Sequence, residues 1–375
     1  MKDESRFILW RLLRRLNICR YWPQAVAADS GMALLMTLAA ISFLVAVTVG
    51  LATSVNLQMQ AARSLQISTR LDATLASGLA LARAALYADQ QQQQYDTLLD
   101  GWNNLDKEKL KKLAGDIDVD IHVGDMSGRI QINRLVLTKE DKKKGGPGFG
   151  RRAGGRNGGN GRQTNVEKLQ RRLWLRFLLS GKFAVDGQEE AVALVDTLSD
   201  WLDEDDNERD HGAENGYYQS LPVPYRCRNG RLRYPEELLL VKGFTRKIVY
   251  GDKEHEGIID YLTIYGQDGK ININTAPAVV LQALTAGLDE EMVASLISFR
   301  QEKDNLIALK NPQWYRHAPD FPGDIIFDAG LVTTKSSFFS VSITAGDNGW
   351  LRTGKGMLYR DPKTRQQDLL SWQVE

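Results

Sequence analysis

Hydrophobic and polar positions divide the chain into blocks of different period. From Met32 to Ala52 the sequence MALLMTLAAISFLVAVTVGLA runs 21 residues without a charge. A helix of that length rises roughly 30 Å, about the thickness of a bilayer core. Beyond Ala52 polar residues return, and apolar or small ones recur at Leu57, Ala61, Leu65, Ser68, Leu75, Leu79, Ala82 and Leu86. Spacing of three and four draws a single helix face. No proline falls between Pro23 and Pro147, so the pattern predicts one helix over about 32–87, its first half suited to lipid and its second to packing on a sheet. Gln90–Gln94 reads as its exit.

Period two follows. Ile117–Val123 and Arg129–Leu137 alternate like strands around Gly124–Gly128, which predicts a hairpin. Helical spacing returns at Val166–Leu179 and Gln188–Leu202. Pro235 and Gly243 bracket another short helix. In ININTAPAVVLQALTAGLDEEMVASLISFR, Asn274 or Thr275 is placed to cap a helix with Pro277 in its first turn, and Gly287 separates it from a second helix. That arrangement reads as a helix-hairpin-helix or SAM-like unit. Alternation over Ser336–Gly346, Gly354–Asp361 and Asp368–Glu375 predicts antiparallel strands that complete the sheet begun at Ile117. The fold class is therefore α+β: a long N-terminal helix and an antiparallel sheet, with a large α-helical domain inserted between sheet strands.

Composition marks one boundary. Residues 139–164, KEDKKKGGPGFGRRAGGRNGGNGR plus two, are glycine-rich and basic and offer almost nothing to bury, which reads as a disordered loop. A patch for nucleic acid or anionic lipid is the functional alternative. It is not a phosphate loop, because no GxxxxGK[ST] is present.

The net charge of +1 hides local asymmetry. Lys2, Arg6, Arg11, Arg14, Arg15 and Arg20 precede the apolar run against Asp3, Glu4 and Asp29, which favours a cytoplasmic N-terminus. The acidic extreme is DWLDEDDNERDHGAENGYY, Asp200–Tyr218. Hard oxygen ligands in such a loop suit Ca²⁺. Asp203, Asp205, Asn207 and Glu214 fall at positions 1, 3, 5 and 12 of an EF-hand-type loop, but position 6 is Glu208 rather than glycine and no clear helix follows. A calcium loop of another kind, with Asp203, Asp205, Asp206, Asn207, Asp210 and Glu214 as candidate ligands, stands against a solvated acidic loop. Paired carboxylates also serve glycosidases, yet nothing nearby reads as a sugar cleft. His122, His211, His255 and His317 are scattered, and Cys19 and Cys227 form no zinc spacing. No nucleophile–base constellation supports an enzyme. Helix-hairpin-helix units often bind DNA at a helix N-terminus, but Asp289, Glu290 and Glu291 put negative charge where a phosphate would dock. A membrane-anchored DNA receptor is accordingly the runner-up function, and no nucleic-acid partner is expected.

A basic leader, Gly31, then an apolar helix that continues as an amphipathic one resembles a type IV prepilin. By that resemblance prepilin peptidase cuts between Gly31 and Met32. The family's glutamate at the fifth mature position is replaced by Met36. That carboxylate neutralises a neighbouring subunit's N-terminal ammonium within an apolar core, where an unpaired charge is costly. A subunit with nothing above it has no use for one, so Met36 points to a filament tip, with drift in a non-pilin anchor as the alternative.

Together with DMSGRIQIN, LVDTLSDWLDEDDNERDHGAENGYY, RYPEELLLVKGFT, GKININTAPAVVLQAL and LLSWQVE, this start resembles the general secretion pathway protein K family, the K-type minor pseudopilins of type II secretion. The resemblance implies a leader (1–31), a transmembrane and amphipathic helix (32–87), the first part of a pilin-like sheet domain (88–138), the glycine-rich loop (139–164), an inserted helical domain (165–335) and C-terminal strands (336–375). It implies a pseudopilus tip with I- and J-type minor pseudopilins and the major pseudopilin, a single inner-membrane span with the bulk in the periplasm, and structural Ca²⁺, carried here onto the acidic loop. Cutting at Gly31 leaves Cys227 as the sole thiol, so no internal disulfide is available to the mature chain.

Overall fold

The computed structural model describes residues 29–137, 158–266 and 268–375. Most of the leader (1–28) and of the glycine-rich segment (139–157) lies outside them. The chain divides into two units, Met1–Ser68 and Thr69–Glu375.

In the first unit the described residues belong to helix α1 (Asp29–Gln92). Its apolar side chains, Met32, Met36, Phe43 and Leu51 among them, are exposed. By length and composition this helix can cross a membrane.

In the second unit the remainder of α1 packs on a four-stranded antiparallel sheet. Leu71, Leu75, Ala82 and Leu86 are buried along one stripe, whereas Leu57 and Leu65 are exposed. The apolar face drawn from Leu57 is thus used for packing only from Leu71 onward. Gly78 sits where helix and sheet come closest: a Cβ there would lie 3.0 Å from Ile343 Cγ2 and 3.3 Å from Ile121 Cδ1. The helix runs to Gln92 because its last turn is held, with the Arg360 guanidinium donating to the Leu86 carbonyl (3.3 Å) and to Asp89 (3.3 Å).

Helix α2 (Lys107–Ala114) leads to β1 (Asp118–Asp125). The expected hairpin does not form. Strand β1 pairs antiparallel with β6, a partner more than two hundred residues on. The run after the Gly124–Gly128 turn instead gives β2 (Ile130–Gln131) and a 3₁₀ turn (Ile132–Arg134). The reason lies in burial: every residue from Ile130 to Leu137 is buried, so this is a fully enclosed segment and not an alternating one. Ile130, Ile132, Leu135 and Val136 join the core of the helical domain. Asn133 is enclosed with them, donating to the carbonyls of Leu232 and Ile264 (3.0 Å each) and accepting from Leu232 N–H (2.7 Å).

The helical domain contains α3 (Gly158–Leu178), α4 (Gly187–Leu202) and α5 (Asn215–Gln219), then a 3₁₀ helix (Pro235–Leu240) and α6 (Arg246–Tyr250). Short strands β3 (Leu262–Thr263) and β4 (Ile271–Asn272) precede α7 (Ala278–Ala283), α8 (Glu290–Gln301) and β5 (Val332–Thr333). Strand β2 pairs parallel with β3, and β4 with β5. Leu173, Trp174, Phe177, Leu194, Leu198, Trp201, Tyr218 and Leu281 lie in one continuous core. Trp174, Phe177, Trp201 and Tyr218 are its large rings, and burying an aromatic side chain is worth about 1.5–3 kcal/mol.

The chain then returns to the sheet with β6 (Phe338–Asp347), β7 (Trp350–Arg360) and β8 (Gln367–Val374). Sheet order is β1-β6-β7-β8. In β6, Phe339, Val341, Ile343 and Ala345 are buried while the intervening residues are half-buried, as period-two alternation on one packed face requires. The three C-terminal strands thus form as the alternation predicts, each shifted by a few residues.

Candidate functional site

The acidic loop is built by the end of α4. Asp200 lies in the last turn of that helix and is fully buried, and Asp203 is its C-cap residue. The following segment folds back so that Asp200 Oδ2 accepts from the backbone N–H groups of Arg209 (3.2 Å) and Ala213 (2.9 Å). Arg209 lays its guanidinium between two carboxylates, donating to Asp200 and to Asp203 Oδ2 (2.6 Å). Gly212 permits the close fold, since a Cβ there would fall 1.8 Å from Asp200 Oδ2.

Glu214 completes the cluster. Oxygens of Asp200, Asp203 and Glu214 lie within 4.8 Å of one another. Glu214 is 4 % exposed, yet among the described residues no N–H or O–H group donates to its carboxylate, and the Cys227 thiol is the polar group beside it. Burial, reinforced by Asp200 and Asp203, pushes its pKa up to about 8. Burial likewise raises Asp203, against the pull of Arg209. Three carboxylates facing one guanidinium leave an uncompensated negative charge, and a buried carboxylate without N–H or O–H donors is what a hard cation satisfies. The donor set therefore fits Ca²⁺.

Of the six candidate ligands, the structure brings Asp203 and Glu214 together and adds Asp200. The others serve the loop itself. Asp205 Oδ1 accepts from the backbone and side-chain nitrogens of Asn207 (3.0 and 2.6 Å). Asp206 accepts from Asn229 (3.0 Å) and Asn215 (2.7 Å), which hold its pKa low. Asp210 is exposed. An EF-hand count starting at Asp203 passes over Asp200; the signal that would have found it is its i, i+3 relation to Asp203 on one helix face. Cys227 is buried beside this loop as a free thiol, and burial pushes its pKa up to about 12.

A second polar cluster joins the sheet to the helical domain. Arg360, at the end of β7, donates to Asp89 (3.3 Å), to Asp96 and to the Ser336 carbonyl (3.1 Å). Asp125, at the end of β1, accepts from Ser127 N–H (2.7 Å), Asn272 (3.2 Å), Thr275 (2.5 Å) and Ser336 Oγ (2.5 Å). Asn272 and Asn274 each donate to the Asp96 carbonyl (3.2 and 3.1 Å). The ININTAP residues are therefore junction residues. Neither Asn274 nor Thr275 caps a helix as expected, because α7 starts one residue after Pro277 without a side-chain cap. Burial raises Asp89, Asp96 and Asp125, with Arg360 opposing at the first two.

At the helix-hairpin-helix unit, Gly287 has φ +81° and α8 begins just beyond it. Asp289 caps α8 by accepting from Met292 N–H (2.8 Å), and Glu290 pairs with Lys182 (3.0 Å). The helix N-terminus that would receive a phosphate already holds a carboxylate. Gly31 and Met32, the expected cut site, lie in the first turns of α1 with Met32 exposed.

Two family models, both described as type II secretion system (T2SS), protein K, match residues 128–250 and 271–321. The chain is 25% identical over 176 residues to type II secretion system protein K of Pseudomonas aeruginosa, covering 46% of this chain and 42% of that one. It is 31% identical over 108 residues to the protein of that name from Pectobacterium carotovorum subsp. carotovorum, covering 28% and 31%. Over 55 residues it is 40% identical to a putative type II secretion system protein K of Escherichia coli K12, covering 15% and 17%. The matches thus span less than half the length of each relative. The crystal structure of the GspK-GspI-GspJ complex from the enterotoxigenic Escherichia coli type 2 secretion system shares the fold, with a TM-score of 0.54 at 16% identity, covering 84% of this chain and 98% of that one. In its matched stretches, as in its motifs and fold, the chain resembles the K-type minor pseudopilin of type II secretion systems.

Proposed function

We propose that this chain is a minor pseudopilin that caps the type II secretion pseudopilus, a structural part of the apparatus that exports folded proteins across the outer membrane. The observation that carries this reading is the junction of two halves. A pilin-like half, α1 on sheet β1-β6-β7-β8, would build into a filament. The helical domain threaded between β1 and β6 adds bulk that would obstruct a further subunit. Met36 in place of glutamate supports the same position. Before assembly, the Met32–Ala52 segment spans the inner membrane with its basic end cytoplasmic and the bulk in the periplasm. Prepilin peptidase removes the leader after Gly31. Relatives of the I and J types, which assemble with a K protein in the complex of similar fold, are the nearest partners, with the major pseudopilin below them. Pull-down of the membrane-extracted chain should recover I- and J-type minor pseudopilins; recovery of neither would contradict the tip reading.

The acidic loop is part of this reading as a structural calcium site held by Asp200, Asp203 and Glu214. Ca²⁺ would supply the positive charge that Glu214 lacks and tie α4 to the start of α5. Mass spectrometry under non-denaturing conditions should find calcium bound, and an unchanged melting temperature on adding chelator would contradict a structural role.

A further inference from the structure

A cleft of about 290 Å³ opens beside the sheet–helical domain junction. Lys270, Lys335 and Lys363 line it, and among the described residues none of their ammonium groups has an ion-pair or hydrogen-bond partner. Two carboxylates, Asp268 and Asp361, share the lining, and Lys363 acts on Asp361, so the three lysines exceed the acids by one charge. Asp361 accepts from the backbone N–H groups of Lys363 (2.7 Å) and Thr364 (2.9 Å), and Asp268 from Lys270 N–H (3.0 Å) and Gln131 (3.2 Å). One wall is apolar: Phe338 stacks on Tyr265 with centroids 5.8 Å apart and lies 5.0 Å from the Tyr359 ring. Tyr359 also lines the cleft, and among the described residues its hydroxyl has no hydrogen-bond partner. A second cavity of about 120 Å³ shares Lys335 and Pro362 and is lined by Arg365 and by the Arg360–Asp96 pair, so the polar groove continues past Lys335.

We infer that this cleft is a docking site for an extended acidic peptide segment of a partner protein, its carboxylates meeting the three lysines and an apolar side chain lying on the Phe338–Tyr359 wall. An excess of ammonium groups next to half-buried aromatic rings favours a ligand with both features, because each carboxylate gains a charge-assisted contact while the rings lose their remaining water. A small inorganic anion would use only the lysines. The shared length of the two cavities favours a chain over a single group.

The test is fluorescence anisotropy with the full chain in non-ionic detergent and a labelled peptide of sequence Asp-Phe-Glu-Phe-Asp. Saturable binding is expected, at least about ten-fold weaker (about 1.4 kcal/mol) in the Lys335→Ala/Lys363→Ala variant. Tyr359→Phe, which deletes only a hydroxyl, should weaken it a few-fold, and Lys303→Ala, away from the cleft, should leave it unchanged. Equal binding of the Asn-Phe-Gln-Phe-Asn peptide would overturn the inference. So would an equal loss in Lys303→Ala, or displacement of the peptide by an equal concentration of inorganic phosphate.

Discussion

Glu214 is the residue whose environment asks most of its surroundings. A carboxyl with a folded pKa of about 8 against an ordinary 4.5 binds its proton more tightly in the folded state. Its cost to stability is absent below about pH 4.5, grows as pH rises, and is complete above about pH 8. A bound divalent cation removes that cost, so chelator should lower the melting temperature more at pH 8 than at pH 5. Glu214→Gln keeps the shape and discards the charge. In chelator at pH 8 the variant should melt above the wild type by about 2–6 °C, and calcium should raise its melting temperature less. Differential scanning calorimetry with and without calcium checks both; equal calcium shifts for the two chains would contradict the assignment of Glu214. Gly212→Ala presses a methyl onto the Asp200 carboxylate. It should cost about 1–3 kcal/mol in chemical denaturation, as overpacking does. At this scale the sequence displayed the acidic residues but not their division of labour. Asp205, Asp206 and Asn207 look like ligands in a linear count, and become turn-formers once Asn215 and Asn229 arrive from elsewhere in the chain.

Among elements, periodicity was readable wherever one face is packed and the other is wet. The α1 stripe from Leu71 and the alternation of β6 are of that kind. It misled at Ile130–Leu137, because a segment enclosed on all sides carries no phase to read. The junction was out of reach for a different reason: Arg360 meets Asp96 across 264 residues and Asp125 meets Ser336 across 211, separations that no local pattern encodes. This junction is where an element-level test has most leverage. Arg360→Leu leaves Asp89 and Asp96 buried without their cation, which should cost about 3–5 kcal/mol near pH 8. Burial already raises both carboxylates, and without Arg360 only the Gln93 amide at Asp89 and the Ser336 N–H at Asp96 oppose it. The variant's deficit should therefore shrink as pH falls and the carboxylates take up protons. Denaturation curves at pH 8 and pH 5 measure this, and a deficit that grows on acidification would contradict it.

On the scale of the whole molecule, one helix changes character along its length. Its first part presents apolar side chains that are exposed among the described residues, and its second supports a sheet that carries a large helical domain. On the proposed function the helix is used first in a bilayer and then in a filament, which needs a defined start, and Gly31 precedes the uncharged run. Gly31→Ala should leave the precursor unprocessed in membranes, seen as a band about 3–4 kDa larger, at an average of about 110 Da per residue for a 31-residue leader. The most direct test of the pseudopilin reading is the N-terminus of the wild-type chain extracted from membranes of cells that contain prepilin peptidase, determined by mass spectrometry. A mature chain beginning at Met32 is the predicted result. A chain that retains its leader, or begins at any other residue, would contradict it.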